Sequence, residues 1–433
     1  MADSIETVSE AAVNEARRPP RGRIWLLLIL GVAIICGALV FRSSAWAKEY
    51  PLKRASLEVL RSWAERSPRD PLVQYYLGVK SYDNGLYPEA VLAFRAATTQ
   101  DPKMTRAFLG LAGAHRVLGQ NPEAYAAAKQ AALLEPKNVP AQFLIASLVA
   151  EVSLQDARPE YQKLTRLAPE RADAWYGLGM CEAGLIQRGD AVAPLTKAVE
   201  LDPKNALYRR DLGQILMRLS RFEEARPHLE EAVRLGPEDA SSWYYAGKTL
   251  GTLAKTDAEL TTADEHLQRA IQLLEAAEER SPVGEAEIKS VRAELMRRLN
   301  RLADAEKLLR EARLQDPKTV NYLRQLADVV RARGNQQLAV ELMREYAAKH
   351  ELEEAVEQMK QRLKQDPNNP GQRLRFARLL VQAGDIPQAY TQYTIVHKLK
   401  PQQPAEVRAE FKKVEEDFKA LQKVSVVAPA AAK

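Results

Sequence analysis

Two cysteines and five histidines are the residues that could support metal, redox or proton-transfer chemistry, and their spacing withholds it. Cys36 lies within an apolar run and Cys181 stands alone, so neither a CxxC site nor a disulfide framework is available. His115, His228, His266, His350 and His397 are scattered singly, with no pair at the i,i+4 separation that a helical zinc site requires, and they read as solvated or incidental. No Ser/His/Asp set, phosphate loop or paired-carboxylate site rises above a background that is 28% charged. The expectation is a protein with no catalytic residues, no metal and no cofactor. Against 57 acidic residues stand 63 lysines and arginines, a formal charge of +6 spread along 433 residues, which reads as solvated helix faces and not as a nucleic-acid site. What remains is recognition chemistry, carried by tyrosines and arginines, and the question becomes which elements present them.

Those elements follow from punctuation. Prolines stand at 68, 102, 136, 169, 203, 237, 282, 317, 367 and 401, and six of the nine intervals are 33 or 34 residues. Between them apolar residues recur at helical spacing. The clearest copy carries Trp175, Leu178, Gly179, Ala191, Leu195, Ala198 and Pro203, and neighbouring copies repeat the offsets as Leu77-Gly78 with Ala90 and Phe94, and as Leu212-Gly213 with Ala225 and Leu229. Each copy is read as a helical hairpin in which small residues (Gly78, Ala112, Ala146, Gly179, Gly213) face Ala90, Ala124, Ala157, Ala191 and Ala225, letting two backbones approach. Proline then stops the second helix by removing a donor and crowding the preceding turn. A sixth copy carries Trp243, Gly247 and Ala270-x3-Leu274, with about eleven extra residues between its helices near Thr252 to Thr262. The pattern breaks after Ala339: residues 335 to 366 contain neither Gly nor Pro, so one long helix or two helices meeting near Lys349-His350 would fit.

These offsets resemble the tetratricopeptide repeat, whose motif is W-x2-L-G-x2-Y, A-x3-F and P over 34 residues. The resemblance covers roughly residues 52 to 423, although the first-helix Tyr of the motif is Ser81, His115 and Glu182 in three copies. It implies an all-α fold, a right-handed superhelical solenoid of helix-turn-helix repeats, with an array of eight to nine repeats over residues 68–401. It implies too that one face of the first helices lines a concave groove. That register assigns to the groove Tyr75, Tyr76, Tyr82, Phe143, Tyr176, Tyr244 and Tyr245, followed by Arg297, Arg298, Arg324, Arg331, Arg375 and Arg378, so the groove is expected to be aromatic near the N-terminus and basic further on. Tyrosine and arginine are also the residues that most often anchor interfaces. The family's carboxylate clamp for chaperone tails is absent, because its positions hold Tyr75, Val79, Gly110, Pro140 and Leu144.

The flanks add a second theme. Residues 1–22 are polar, and from Ile24 to Phe41 every position is apolar or glycine. At 1.5 Å per residue that run spans ~27 Å, about a bilayer's hydrocarbon core. A single transmembrane helix over 23–42 is expected, with cleavage after Ala47 left open by the Ala45-Trp46-Ala47 spacing. Arg17, Arg18, Arg21 and Arg23 crowd the leading end, which favours a cytoplasmic N-terminus and an extracytoplasmic array, most simply in a bacterial periplasm. Residues 43–67 read as a linker and N-terminal cap on Leu57, Leu60 and Trp63, residues 402–423 as a C-terminal cap, and 424–433 as a disordered tail. The expected function is a membrane-anchored scaffold holding a protein partner or extended client segment in its groove, with no nucleic acid. It would serve an envelope assembly, secretion or maturation complex. Self-association, or a regulatory adaptor of a membrane enzyme, is the alternative.

Overall fold

A computed structural model of the chain describes residues 45–185, 188–276 and 284–427. The tail 1–22, the segment 23–42 and Cys36 lie outside the described residues, as does Pro282. No helix among the described residues is long and apolar enough to cross a membrane. The secondary structure described is helical throughout. The chain divides into two compact units, Met1–Pro203 and Lys204–Lys433.

The first unit opens with two short helices, α1 (Ala45–Arg54) and α2 (Leu57–Arg66). Hairpins follow: α3 (Pro71–Asp83) with α4 (Tyr87–Gln100), α5 (Thr105–Val117) with α6 (Asn121–Leu134), α7 (Val139–Val152) with α8 (Leu154–Leu167), and α9 (Ala172–Gly184) with α10 (Val192–Leu201). The second unit holds α11 (Ala206–Arg218) with α12 (Phe222–Leu235), α13 (Ala240–Leu253) with α14 (Asp257–Ala276), α15 (Glu285–Arg298) with α16 (Leu302–Gln315), and α17 (Asn321–Ala332) with α18 (Gln336–Gln365). It ends with α19 (Pro370–Gln382), α20 (Ile386–Leu399) and α21 (Ala405–Val427), the last running past residue 423, where the cap was expected to end, into the first four residues of the expected disordered tail; residues 428–433 lie outside the described residues.

Local chemistry explains the period. Several first helices start on side-chain caps: Asp70 accepts from the Leu72 and Val73 amides, Asn138 from Ala141, and Asp239 from Ser241 and Ser242, satisfying amides that lack a helical partner. In six hairpins the turn into the second helix passes through one left-handed residue, supplied by Gly85 (φ 74°), Gly119 (70°), Gly334 (92°) and Gly384 (75°), and by Ser220 and Asn300 where glycine is missing. Each is followed by a six-to-one closing bond, such as Leu86 N–H to Ser81 C=O at 2.8 Å.

Proline does more than terminate. The side chain six residues beyond it donates to its carbonyl: Gln74 to Pro68 (3.3 Å), Gln142 to Pro136 (3.1 Å), Trp175 to Pro169 (2.8 Å), Trp243 to Pro237 (2.9 Å) and Arg373 to Pro367 (2.6 Å). The tryptophan of the motif is thus one of several donors that tie the linking turn to the next helix.

The small first-helix residues do pack closely, and Ala90, Ala124, Ala157, Ala191 and Ala225 are wholly buried. The tightest fit of each glycine, however, is to the large residue four positions after that alanine. A methyl on Gly78 would stand 2.7 Å from the Phe94 ring, one on Gly179 2.6 Å from Leu195, and one on Gly213 2.5 Å from Leu229. In the sixth copy Gly247 meets Leu267 and the Ala263 carbonyl, so the register there is Ala263-x3-Leu267 and not Ala270-x3-Leu274. Four residues, not eleven, are inserted between the two helices, and α14 is lengthened at its far end as well. Four residues is about one helical turn, which keeps the apolar face of α14 aimed at α13.

The stretch without Gly or Pro is one continuous helix, α18. Its first half packs Ala339 and Leu342 against α15, α16 and α17, and its last turns pack Met359 and Leu363 against Phe376, Ala377 and Leu380 of α19. Between those patches, residues 347–355 contain no buried side chain.

Candidate functional site

On the first hairpins, Tyr75, Val79, Tyr82 and Asp83 of α3 face Arg106, Leu109, Gly110 and Gly113 of α5 across a cavity of ≈ 370 Å³, with Phe94 of α4 as its floor. Glycine builds it. A methyl on Gly110 would stand 2.5 Å from the Phe94 ring, so the ring can lie beneath both first helices only because Gly78 and Gly110 are bare. Tyr75 packs on Phe94 with ring centres 5.9 Å apart, and Tyr82 is braced edge-on by Tyr87 at 5.3 Å. The Arg106 guanidinium lies 4.6 Å from the Tyr75 ring centre, a cation–π placement that fixes the plane of its fork. Asp83 also lines the cavity. Burial pushes the Tyr75 phenol above its ordinary pKa, so it stays neutral and presents an aromatic face at neutral pH. Three positions where a carboxylate clamp would stand, Tyr75, Val79 and Gly110, line this apolar pocket instead.

The remaining groove expectations divide. Tyr76 is 5% exposed and packs in the core with Leu60, Val73 and Leu77, its hydroxyl donating to Glu49 at 2.7 Å. Tyr244 is 1% exposed, donates to Glu287 at 2.5 Å and accepts from Lys248 at 2.8 Å. Neither presents its ring at an open surface, because burying the ring while pairing the hydroxyl satisfies both ends of the side chain. Tyr245 is half-buried and its hydroxyl accepts from Gln214. Phe143 sits edge-on to Tyr161 at 6.5 Å with the Arg171 guanidinium 5.1 Å from its ring centre, and Tyr176 is half-buried. Of the aromatic residues in the set, Tyr75 and Tyr82 line one cavity together.

The arginines of the second unit do not make a basic surface. Arg297 pairs with Glu294 (2.6 Å), Arg331 with Asp328 (3.3 Å) and Arg378 with Glu410 (3.0 Å), while Arg324 reaches Asn321 at 3.1 Å and Asp328 at 3.9 Å. Arg298 donates to the Gly251 and Ala254 carbonyls and closes the end of α13. Arg375 is exposed and has no ion-pair partner among the described residues. Same-helix acids three or four residues away were readable in the sequence and account for most of this compensation. A larger cavity of ≈ 1130 Å³ lies among α13, α15 and α17, lined by both signs of charge, including Lys248, Glu287, Glu294 and Arg298.

Arg106 is the residue that the sequence reading missed. It is the second residue of the first helix α5, and its ring partner Tyr75 was already among the groove residues. His115 is also corrected: it is 4% exposed, with Nδ1 2.6 Å from the Gln120 amide oxygen, so it belongs to the interior and not to solvent. Cys181 is 1% exposed, and burial raises its thiol to about 11.

Comparison with known proteins agrees with the hairpin geometry. The tetratricopeptide repeat model matches residues 53–105, 81–142, 147–206, 184–240, 210–250 and 291–354, together more than half of the chain. A TPR repeat-containing protein of Treponema pallidum is 31% identical over 38% of this chain and 23% of its own length. Hsp70-Hsp90 organizing protein 1 of Glycine max is 25% identical over 34% of this chain and 23% of its own length. The chain thus spans under a quarter of these curated relatives. The crystal structure of YrrB, described as a TPR protein with an unusual peptide-binding site, is similar at 18% identity and a TM-score of 0.37, covering 43% of this chain and 97% of that one. With its proline-punctuated hairpins and the glycine-to-bulky-residue fit that packs them, this chain belongs to the tetratricopeptide repeat family, a family of protein-interaction scaffolds that are typically not enzymes.

Proposed function

We propose that this chain is a membrane-anchored scaffold that holds an extended peptide segment of a partner through the aromatic pocket of α3 and α5. The observation that carries the reading is that pocket: an opening of ≈ 370 Å³ with a Phe94 floor, Tyr75 and Tyr82 walls and one stacked guanidinium suits an apolar side chain on an extended strand of backbone. The apolar run 24–41 supports the anchor, and the arginines before it support a cytoplasmic N-terminus with the repeats outside, in a bacterial periplasm. In that setting the scaffold assists an envelope assembly, secretion or maturation complex.

Peptide anisotropy tests the pocket. Blocked, labelled heptapeptides with Phe or Leu at the centre are expected to bind the full chain, and central Ala or Tyr82→Ala is expected to weaken them by about tenfold, the loss of one well-filled anchor. Equal binding by the Phe, Leu and Ala peptides would remove the pocket from the function. A reporter fused after Lys433 tests the topology, and reporter activity in the cytoplasm would reverse it.

A further inference from the structure

Beside the aromatic pocket, Arg106 and Tyr76 already hold a carboxylate, and it comes from this chain. Glu49 of α1 takes two parallel bonds from the Arg106 guanidinium, at 2.7 and 3.0 Å, and a third from the Tyr76 hydroxyl at 2.7 Å. This is the bidentate fork that arginine offers to carboxylates, with its plane set by stacking on Tyr75. The seat is strong: the Arg106 bonds, with help from Tyr76, hold the Glu49 carboxyl near pKa 2, although partial burial opposes them. It is also reachable, since the Glu49 side chain is 18% exposed and that of Arg106 38%. Arg106 borders both places, lining the pocket with Tyr75 and Phe94 while gripping Glu49. Leu52, buried with Leu60, Val73 and Leu77, docks α1 independently of this contact, so the carboxylate can leave by a side-chain rotation while the helix stays.

We propose that Arg106 and Tyr76 form a carboxylate seat for a partner peptide whose neighbouring apolar side chain enters the aromatic pocket, and that Glu49 is a tethered self-ligand occupying that seat until the partner displaces it. This rests on the pocket reading above and adds the partner's chemistry: an acidic residue close to an apolar one. The cost of displacement is set by the high effective concentration of a ligand carried on the same chain, so removing the carboxylate raises partner affinity. Two blocked peptides serve as probes, Ser-Gly-Glu-Gly-Phe-Gly-Ser and the same peptide with Gln for Glu. The Glu peptide is expected to bind Glu49→Gln full-length chain about tenfold more tightly than wild type, in line with vacating an occupied seat. The Gln peptide is expected to show no such gain, and Arg106→Gln added to Glu49→Gln is expected to erase the difference between the peptides. Should Glu49→Gln unsettle α1, the wild-type chain supplies the second measurement: excess Glu peptide, and not Gln peptide, is expected to shift the Arg106 Nε–H resonance. Binding that ignores both the peptide's charge and Glu49 overturns the seat and leaves the pocket standing. Failure of both peptides on every chain overturns the two together.

Discussion

Glu49 and Gly110 show how far single residues reach in this chain. Glu49 has a folded pKa of about 2 against an ordinary 4.5, so its contribution to holding α1 is fully present above pH 4.5 and is lost as pH falls toward 2. The urea midpoint of the wild type is therefore expected to fall across that window by more than that of Glu49→Gln, which has no charge to lose, and equal falls in the two chains would contradict it. At Gly110 an added methyl meets the Phe94 ring at 2.5 Å, and the ring has Gly78 on its other side with the same demand. Gly110→Ala is expected to cost about 1–3 kcal/mol in urea denaturation, as overpacking does, and to close the pocket floor. The tyrosines illustrate what composition conceals. Helical register identified Tyr75, Tyr76 and Tyr244 alike as inner-helix residues, yet only the three-dimensional placement of Glu49 and Glu287 draws Tyr76 and Tyr244 into the interior. No local pattern encodes a partner 27 or 43 residues away.

At the scale of the helix, most of the architecture was legible because it repeats. Proline spacing, buried alanines and bare glycines occur in phase, and a signal seen many times over needs no tertiary information to be read. The misjudged insertion marks the limit. Ala263 and Ala270 both precede a leucine by four residues on one buried face, and only contact with Gly247 distinguishes them. The donor six residues beyond five of the prolines was hidden by its variety, since Gln, Trp and Arg look unrelated until one carbonyl joins them. If the hydrogen bond is what matters, Trp175→Phe, which keeps the ring and loses the donor, is expected to cost about 1 kcal/mol in denaturant unfolding. Trp175→Phe as stable as wild type would leave the residue to packing alone.

For the molecule as a whole, stacked hairpins distribute stability among neighbours, so order is strong where two hairpins share a core and weak where they do not. Helix α18 contains both conditions within 30 residues. Its ends are held by separate apolar clusters, and residues 347–355 between them hold no fully buried side chain. Hydrogen exchange is expected to be faster at Ala348 to Glu354 than at Leu342 or Met359, and uniform protection along α18 would show that helix propensity alone holds the middle. The absence of Gly and Pro made this helix visible as one of two options, and the choice between them depended on the partners of each half.

The lengthened hairpin of α13 and α14 carries a consequence for how such a chain can be inherited. Its insertion is one turn long, so Leu267 still reaches Gly247 and the core is kept. A gain or loss of two residues within α14 itself, before Ala263, would rotate its later apolar positions by about half a circle relative to its start and turn that part of the stripe toward solvent. Length changes between the helices of a hairpin are thus absorbed where the loop and helix ends can take them up: the α7 and α8 hairpin is one residue shorter from Ala146 to Ala157, and both alanines stay wholly buried, so a family of such arrays keeps its cores while its hairpins differ in reach.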